Sequence, residues 1–433
     1  MSKIGFITLG CKVNIYESNA IKDKFIELGY EVGDATSDCD AFIINTCSVT
    51  NMADSKSRQM IRKCIKLNPN AIICAMGCYV QSNDAEAKEI EGVDILLGNS
   101  NKGDAVEKID SMLKNKKKER YVNIMDILHN KDYEPLTATM FDHTRAFVKI
   151  EDGCQNFCSY CVIPYARGPV RSKPLMLTLR ELKDIANLGY KEVVLSGIDI
   201  GKYYDKDTNT NFSKLVKLII DTIPDIKRIR ISSIEITQID DEFIELLKNN
   251  QVIASHIHLP LQSGSDIVLK DMNRKYDTSK FLEITNKLRE ARPDISLTTD
   301  VIVGFPTETD EEYNNSVDFI KRINFSKLHV FPYSMRKNTK AALMKQLPDN
   351  VKKDRTSKLI RVSSELEKDY YLKFIGETMS VIFEQSNDNY TIGHTSNYLE
   401  IRVLKDDSLI GNLVDVKLLR YENGIINGEI IKK

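Results

Sequence analysis

The stretch Phe147-Val148-Lys149-Ile150-Glu151-Asp152-Gly153-Cys154-Gln155-Asn156-Phe157-Cys158-Ser159-Tyr160-Cys161 joins a strand-like apolar run directly to three cysteines separated by gaps of three and two residues. A loop with this spacing can wrap its thiolates around one cubane. A saturated [4Fe-4S] cluster takes four protein ligands, so a triplet leaves one iron open, as catalytic zinc sites leave their fourth position open. The other readings of the loop are a zinc knuckle short of one ligand and three incidental cysteines.

Beyond the loop, strand and helix patterns alternate. Strands read at 147–150 (FVKI), 192–197 (EVVLSG), 228–232 (RIRIS), 256–261 (HIHLPL), 296–304 (SLTTDVIVG) and 327–334 (KLHVFPYS), with amphipathic stretches such as TLRELKDIANLG and TSKFLEITNKLREA between them. Six such units predict a partial (β/α)6 barrel, placed at 140–370. Right-handed crossovers set its active site at the C-terminal ends of the strands, where the cysteine loop lies.

Before it, apolar runs at 3–9, 41–45, 71–76 and 94–97 separated by helical stretches predict a small parallel α/β domain over 1–113. Cys11, Cys47 and Cys78 each lie just beyond one of these runs. In a parallel sheet those ends share one rim, so the three thiols can converge as a second open-iron set. Gly10 and Gly77 would let the backbone approach a bulky cluster. Buried structural cysteines are the alternative for this triplet. Cys39, Cys64 and Cys74 sit in a turn, a helix and a strand interior, and read as structural or incidental.

Residues 114–139 open with KNKKKER and lose the strand-helix rhythm, which predicts a linker whose basic run is a solvated helix end. From about Phe374 five short strands with Asn, Asp and Gly turns predict a C-terminal OB-like five-stranded β-barrel at 371–433.

With 433 residues and 42% hydrophobic content, two or three globular domains are expected. A net charge of -1 gives no overall pull toward nucleic acid or membrane. No apolar stretch approaches a membrane span, and the N-terminus enters a strand without a signal-like segment. A cytoplasmic protein without membrane association is expected, and nine cysteines then point to metal, catalysis or burial rather than disulfides.

The motifs TLGCKVNIYES, NTCSVT, MGCY, CQNFCSYCVIPYARGPVRS, HLPLQSGSDIVLKDMNRKY, TDVIVGFPTET and FPYSMRKNTKAA resemble, over essentially the whole chain, the radical S-adenosylmethionine (SAM) methylthiotransferases. That family combines an N-terminal cluster domain, a radical SAM barrel and a C-terminal TRAM domain. Lys12-Val13-Asn14 and the CSYCVIPYARG continuation look most like the branch acting on N6-threonylcarbamoyladenosine beside the tRNA anticodon. Other branches act on isopentenyladenosine or a ribosomal-protein side chain.

The resemblance implies two [4Fe-4S] clusters, with SAM serving as methyl donor and radical source. The cluster at Cys154, Cys158 and Cys161 would bind SAM for reductive cleavage, and the one at Cys11, Cys47 and Cys78 would hold sulfur at its open iron. The partners implied are tRNA, a reductant such as flavodoxin or ferredoxin, and a sulfur donor the sequence does not identify. A non-catalytic iron-sulfur RNA-binding protein is the alternative from another class.

SAM contacts are expected from strand ends: Ser196, Gly197 and Asp199 after the second strand, Ser232 and Ser233 after the third, Gln262 and Ser263 after the fourth, and Gly304-Phe305-Pro306 after the fifth. Phe331 on the sixth would line the adenine. At Asp199 the common acidic motif is altered. Arg167 and Arg171 could pair with the SAM carboxylate or RNA phosphate, with a surface ion pair as the other reading of Arg167. His256 and His258 share a strand face and read as structural.

The C-terminal segment from Phe374 carries six basic and nine acidic residues, a net charge of -3. RNA binding there requires a local basic face, such as Arg402, Lys417 and Arg420, or stacking by Tyr390, Tyr398 and Tyr421. A barrel that only packs against the central domain is the other reading.

Overall fold

A computed structural model describes residues 1–141 and 144–431. Lys432 and Lys433, counted in the charge above, lie outside the described residues. The N-terminal domain is a six-stranded, all-parallel sheet in the order Glu31–Asp34, Lys3–Thr8, Ala41–Thr46, Ile72–Gly77, Ile95–Leu97, Tyr121–Asn123. Its two central strands, AFIINT and IICAMG, are buried at every position, because helices cover both faces.

Two of these strands escape the sequence pattern. Glu31–Asp34 is a polar edge strand with no apolar run. Tyr121–Asn123 lies in the stretch expected to be a linker, yet pairs with Ile95–Leu97. Three residues held by one neighbour leave too short a pattern to read. The passage after it is anchored too, with Ile127, Leu136 and Ala138 buried.

The central domain has its six parallel strands, Arg145–Lys149, Glu192–Ser196, Arg228–Ile231, His256–His258, Ser296–Val303 and Lys327–Pro332. Bridges Ile229 to Ile253 and Ser233 to His258 join the two halves into one partial barrel. Intervening helices begin at short polar caps: Asn211 accepts from Lys214 N at 2.9 Å and Asp240 from Phe243 N at 2.7 Å. Val193 and Leu195 pack outward against these helices, while Glu192 and Ser196 alternate inward. The long helix Asp349–Leu372 lies against the last barrel strand, and Ser363 Oγ accepts from Leu328 N at 3.0 Å.

The C-terminal domain is a closed barrel of Thr378–Ser386, Tyr390–Thr395, Glu400–Leu404, Leu413–Glu422 and Ile425–Ile430. It docks beneath the partial barrel through arginines of the third strand. Arg228 donates to His394 O at 3.2 Å and Ser380 O at 3.1 Å, and Arg230 to Thr395 O at 3.2 Å and Ser396 O at 3.1 Å. Among the described residues no helix is long and apolar enough to cross a membrane.

Candidate active site

The three dispersed cysteines meet on the rim of the N-terminal sheet. Gly10 has φ +97°, and a Cβ there would fall 2.8 Å from Cys47 Sγ, so only glycine lets the first loop close on the second. Gly77 has φ +100°, and its Cβ would meet Asn45 Oδ1 at 2.6 Å. Asn14 ties the loops together, its Nδ2 donating to Leu9 O at 2.6 Å and Thr46 O at 3.0 Å. Burial pushes the Cys47 thiol up to about 11, and the neighbouring Cys78 and Cys11 add to the effect. Asn99 Nδ2 reaches Cys78 Sγ at 3.4 Å and Ala166 O at 2.7 Å, linking this rim to the segment after the second triplet.

The loop triplet is pinned at its base, where Glu151 and Asp152 pair antiparallel with Ser172 and Arg171. Gly153, at φ +95°, passes so close to Pro169 O that no Cβ fits. Cys161 Sγ accepts from Ile163 N at 3.4 Å, and Cys158 Sγ from Arg274 Nη1 at 3.2 Å. Burial first, then Cys158, raises the Cys161 thiol to about 12. Donors aimed at sulfur favour the thiolates that iron requires. Among the described residues no three His, Cys, Asp or Glu side chains stand close enough to share a single ion. Three thiols in each set, with an amide and a guanidinium aimed at the loop sulfurs, are the donor chemistry that an iron-sulfur cluster takes.

One cavity of about 790 Å³ joins these elements. Cys11 and Lys12 line it from the N-terminal domain, Cys154, Cys158 and Cys161 from the loop, and His394 and Tyr398 from the C-terminal barrel. Of the residues expected to touch SAM, Ser196, Gly197, Ser233 and Gln262 line it, as does Ser232. Asp199, Ser263, Gly304 and Phe331 do not. Asp199 instead receives bonds from Gln238 and from Asn156 Nδ2 at 3.2 Å, bracing the loop from behind. Gly304 N donates to Glu308 Oε1 at 2.7 Å, and Ser263 is buried. Phe331 is 47% exposed, two residues beyond the lining His329.

The arginine expectations need correction. Arg167 is fully buried, and donates to Asp152 Oδ1 at 2.8 Å, Glu17 Oε1 at 3.1 Å and Asn14 Oδ1 at 2.6 Å. Glu17, which Lys102 and Lys149 also hold, stays well below the usual carboxylate range: burial opposes the charge but these cations, Arg167 foremost, outweigh it. Arg171 is buried 3.6 Å from Asp152. Arg167 serves the docking of the N-terminal domain, whereas Arg171 holds Asp152 at the base of the cysteine loop. Charged residues at a domain interface resemble surface residues in a sequence, and only folding reveals the difference.

Tyr398 is also reassigned. His256 and His394 stack on it, each at 4.7 Å, and Arg230 lies 4.6 Å from the ring centre, so no face is left for a base. This gives His256 its packing role; His258 pairs with Asp300 at 3.3 Å. On the C-terminal barrel, Glu422 holds both Arg402 and Arg420, Arg402 covers Tyr390, and Tyr421 packs on Tyr371, which reduces the basic face anticipated there.

A sequence profile for the radical SAM superfamily matches residues 148–320, and one for the uncharacterized protein family UPF0004 matches 3–98. The threonylcarbamoyladenosine tRNA methylthiotransferase MtaB of Bacillus subtilis is 42% identical, with 100% of this chain and 97% of that protein aligned. MtaB of Aquifex aeolicus is 38% identical over 92% and 96%. The chain belongs to the radical SAM methylthiotransferase family. The tRNA-2-methylthio-N(6)-dimethylallyladenosine synthase of Acetivibrio thermocellus is 31% identical, over 98% of this chain and 90% of that one. Among solved structures, the radical SAM methyltransferase TsrM of Kitasatospora setae matches with a TM-score of 0.55 at 13% identity, over 77% and 75% of the chains, a likeness of fold.

Within this radical SAM methylthiotransferase, sequence reasoning missed Glu151, Arg274 and Arg336. Glu151 Oε2 accepts from Ile198 N at 2.8 Å and Asp199 N at 2.7 Å, and a Cβ on Gly197 would crowd it at 2.8 Å. Arg336 pairs with Asp54 at 2.7 Å and donates to Ser48 Oγ at 2.9 Å, holding the loop after Cys47. The signal for Arg274 was its place in the quoted motif HLPLQSGSDIVLKDMNRKY; for Glu151, its place beside the loop.

Proposed function

We propose that the protein adds a methylthio group to C2 of N6-threonylcarbamoyladenosine in tRNA, beside the anticodon. The observation that carries this reading is that Cys11 and the three loop cysteines open onto one cavity. Cys154, Cys158 and Cys161 would hold the cluster that binds SAM, and Cys11, Cys47 and Cys78 the cluster that presents sulfur. When bound, one SAM would supply radical chemistry able to take hydrogen from an unactivated carbon, and a second SAM would supply the methyl group. Ser196, Gly197, Ser233 and Gln262 would orient SAM, with Asp199 bracing the loop. Arg230, paired with Glu192, and Tyr398 line the cavity and would exclude water from the reacting centre.

The electron would come from a reductant such as flavodoxin or ferredoxin, in the cytoplasm, where tRNA is modified. Deleting the gene and measuring tRNA nucleosides by mass spectrometry tests the activity. Loss of the methylthio group from threonylcarbamoyladenosine is expected; its persistence overturns the substrate assignment.

A further inference from the structure

Four lysines and arginines line the cavity: Lys12, Arg230, Arg274 and Lys327. Three are neutralised in place. Glu192 holds Arg230 at 2.7 Å, Glu235 holds Arg274, and Glu367 holds Lys327 at 2.8 Å. Lys12 has no ion pair among the described residues. It is exposed to the cavity. With Arg145 held by Glu384 and Arg230 by Glu192, Lys12 is left to pair with an incoming anion.

A second observation points to a polar occupant. Ser232 Oγ and His256 Nδ1 are buried, belong to cavity-lining residues and have no hydrogen-bond partner among the described residues. Proton counting gives His256 its role. Asp300 faces His258 Nε2 at 3.3 Å, so that nitrogen carries the proton. His258 Nδ1 then accepts from Thr298 Oγ1 at 3.0 Å, and Thr298 Oγ1 accepts from His256 Nε2 at 3.0 Å. His256 Nδ1 is left as a bare acceptor, suited to a hydroxyl or N–H of a ligand.

We propose that Lys12 determines specificity by binding the threonyl carboxylate of the target nucleoside, with Ser232 and His256 taking the remaining polar atoms of its N6 substituent. This rests on the threonylcarbamoyladenosine reading. Lys12 follows Cys11 directly, so it stands beside the cluster that would present sulfur. An apolar dimethylallyl substituent would leave all three groups unpaired, which discriminates more strongly than loss of shape fit.

The test uses the cluster-loaded full chain and three anticodon stem-loop RNAs that differ only at the target: threonylcarbamoyladenosine, its carboxyl methyl ester and N6-dimethylallyladenosine. Equilibrium binding is measured by fluorescence anisotropy at one salt concentration, because backbone contacts respond to salt. Wild type should prefer the acid over the ester by about tenfold or more, as expected for a charge-assisted hydrogen bond. Lys12→Met should bind acid and ester alike, and Lys12→Arg should keep the preference. Iron content reports that each variant is loaded. The assignment is overturned by a wild type that does not distinguish acid from ester, by Lys12→Met keeping the full preference, or by Lys12→Met weakening all three RNAs equally. Turnover separates the two levels: a wild type that methylthiolates only the dimethylallyl RNA removes the substrate reading itself. Turnover of the acid with an unchanged preference in Lys12→Met removes the Lys12 assignment alone.

Discussion

Arg167 Nη2 donates to Asn14 Oδ1 at 2.6 Å, so a residue shortly after the loop triplet grips one shortly after Cys11. Through Asn14 that grip extends to the loops of Cys11 and Cys47, and through Glu17 and Asp152 to a buried ionic network. The distance between the two cysteine sets is therefore fixed by charge burial as well as by packing. Breaking a buried pair by removing one partner leaves an uncompensated charge. Arg167→Met should destabilise the protein by about 3–5 kcal/mol, visible as a lower denaturant midpoint; a midpoint within error of wild type would contradict the role assigned to the network.

Arg274 places a guanidinium on Cys158 Sγ, with Glu235 and Tyr276 steadying it. A positive charge beside a cluster thiolate favours the more negative, reduced state. Arg274→Gln should make the loop cluster harder to reduce. A redox titration followed by electron paramagnetic resonance should give a more negative midpoint, and an unchanged midpoint would rule out this electrostatic role.

Gly10→Ala tests the convergence of the dispersed triplet. The added Cβ would collide with Cys47 Sγ, in a backbone conformation that side chains resist. Loss of the N-terminal cluster alone is expected, leaving about half the iron while SAM cleavage persists. Full iron in the variant would show that the rim tolerates the methyl group.

Stability should fall at acidic pH through Glu192, whose carboxyl is held at about 2 because Arg230 and Arg228 outweigh the opposing effect of burial. Its folded pKa lies below its unfolded one, so its contribution is present above about pH 4.5. Between there and about 2 the unfolded chain binds the extra proton, and up to about 3 kcal/mol is lost as pH falls through that window. Glu192→Gln should be less stable near neutrality and flatter in its acid dependence. Comparing two cluster-loaded proteins cancels the acid lability of the clusters themselves, and parallel curves would rule out Glu192 as a source of the slope.

The barrel was legible because each of its six strands is an apolar run ending in small or polar residues, repeated with amphipathic helices between. The loop triplet was legible from spacing alone. Less accessible were features that depend on what the chain folds against. Tyr121–Asn123 becomes a strand because Ile95–Leu97 offers it an edge. Arg167 reads as a surface residue until Glu17, distant in sequence, is brought onto it. Tyr398 reads as a stacking platform for a base, yet two histidines from different domains already occupy its faces. Glu151 carries no motif identity, and its importance lies in the two amides it orders behind Ser196.

That histidine sandwich changes what the C-terminal barrel is for. Tyr398 and His394 form part of the chamber's floor, so the domain is a stopper as well as any handle for RNA. Cutting it away would admit bulk water to a chamber meant to confine a short-lived radical. A truncated enzyme would then be expected to consume SAM without marking its substrate, a contribution to fidelity of coupling that requires no contact with RNA.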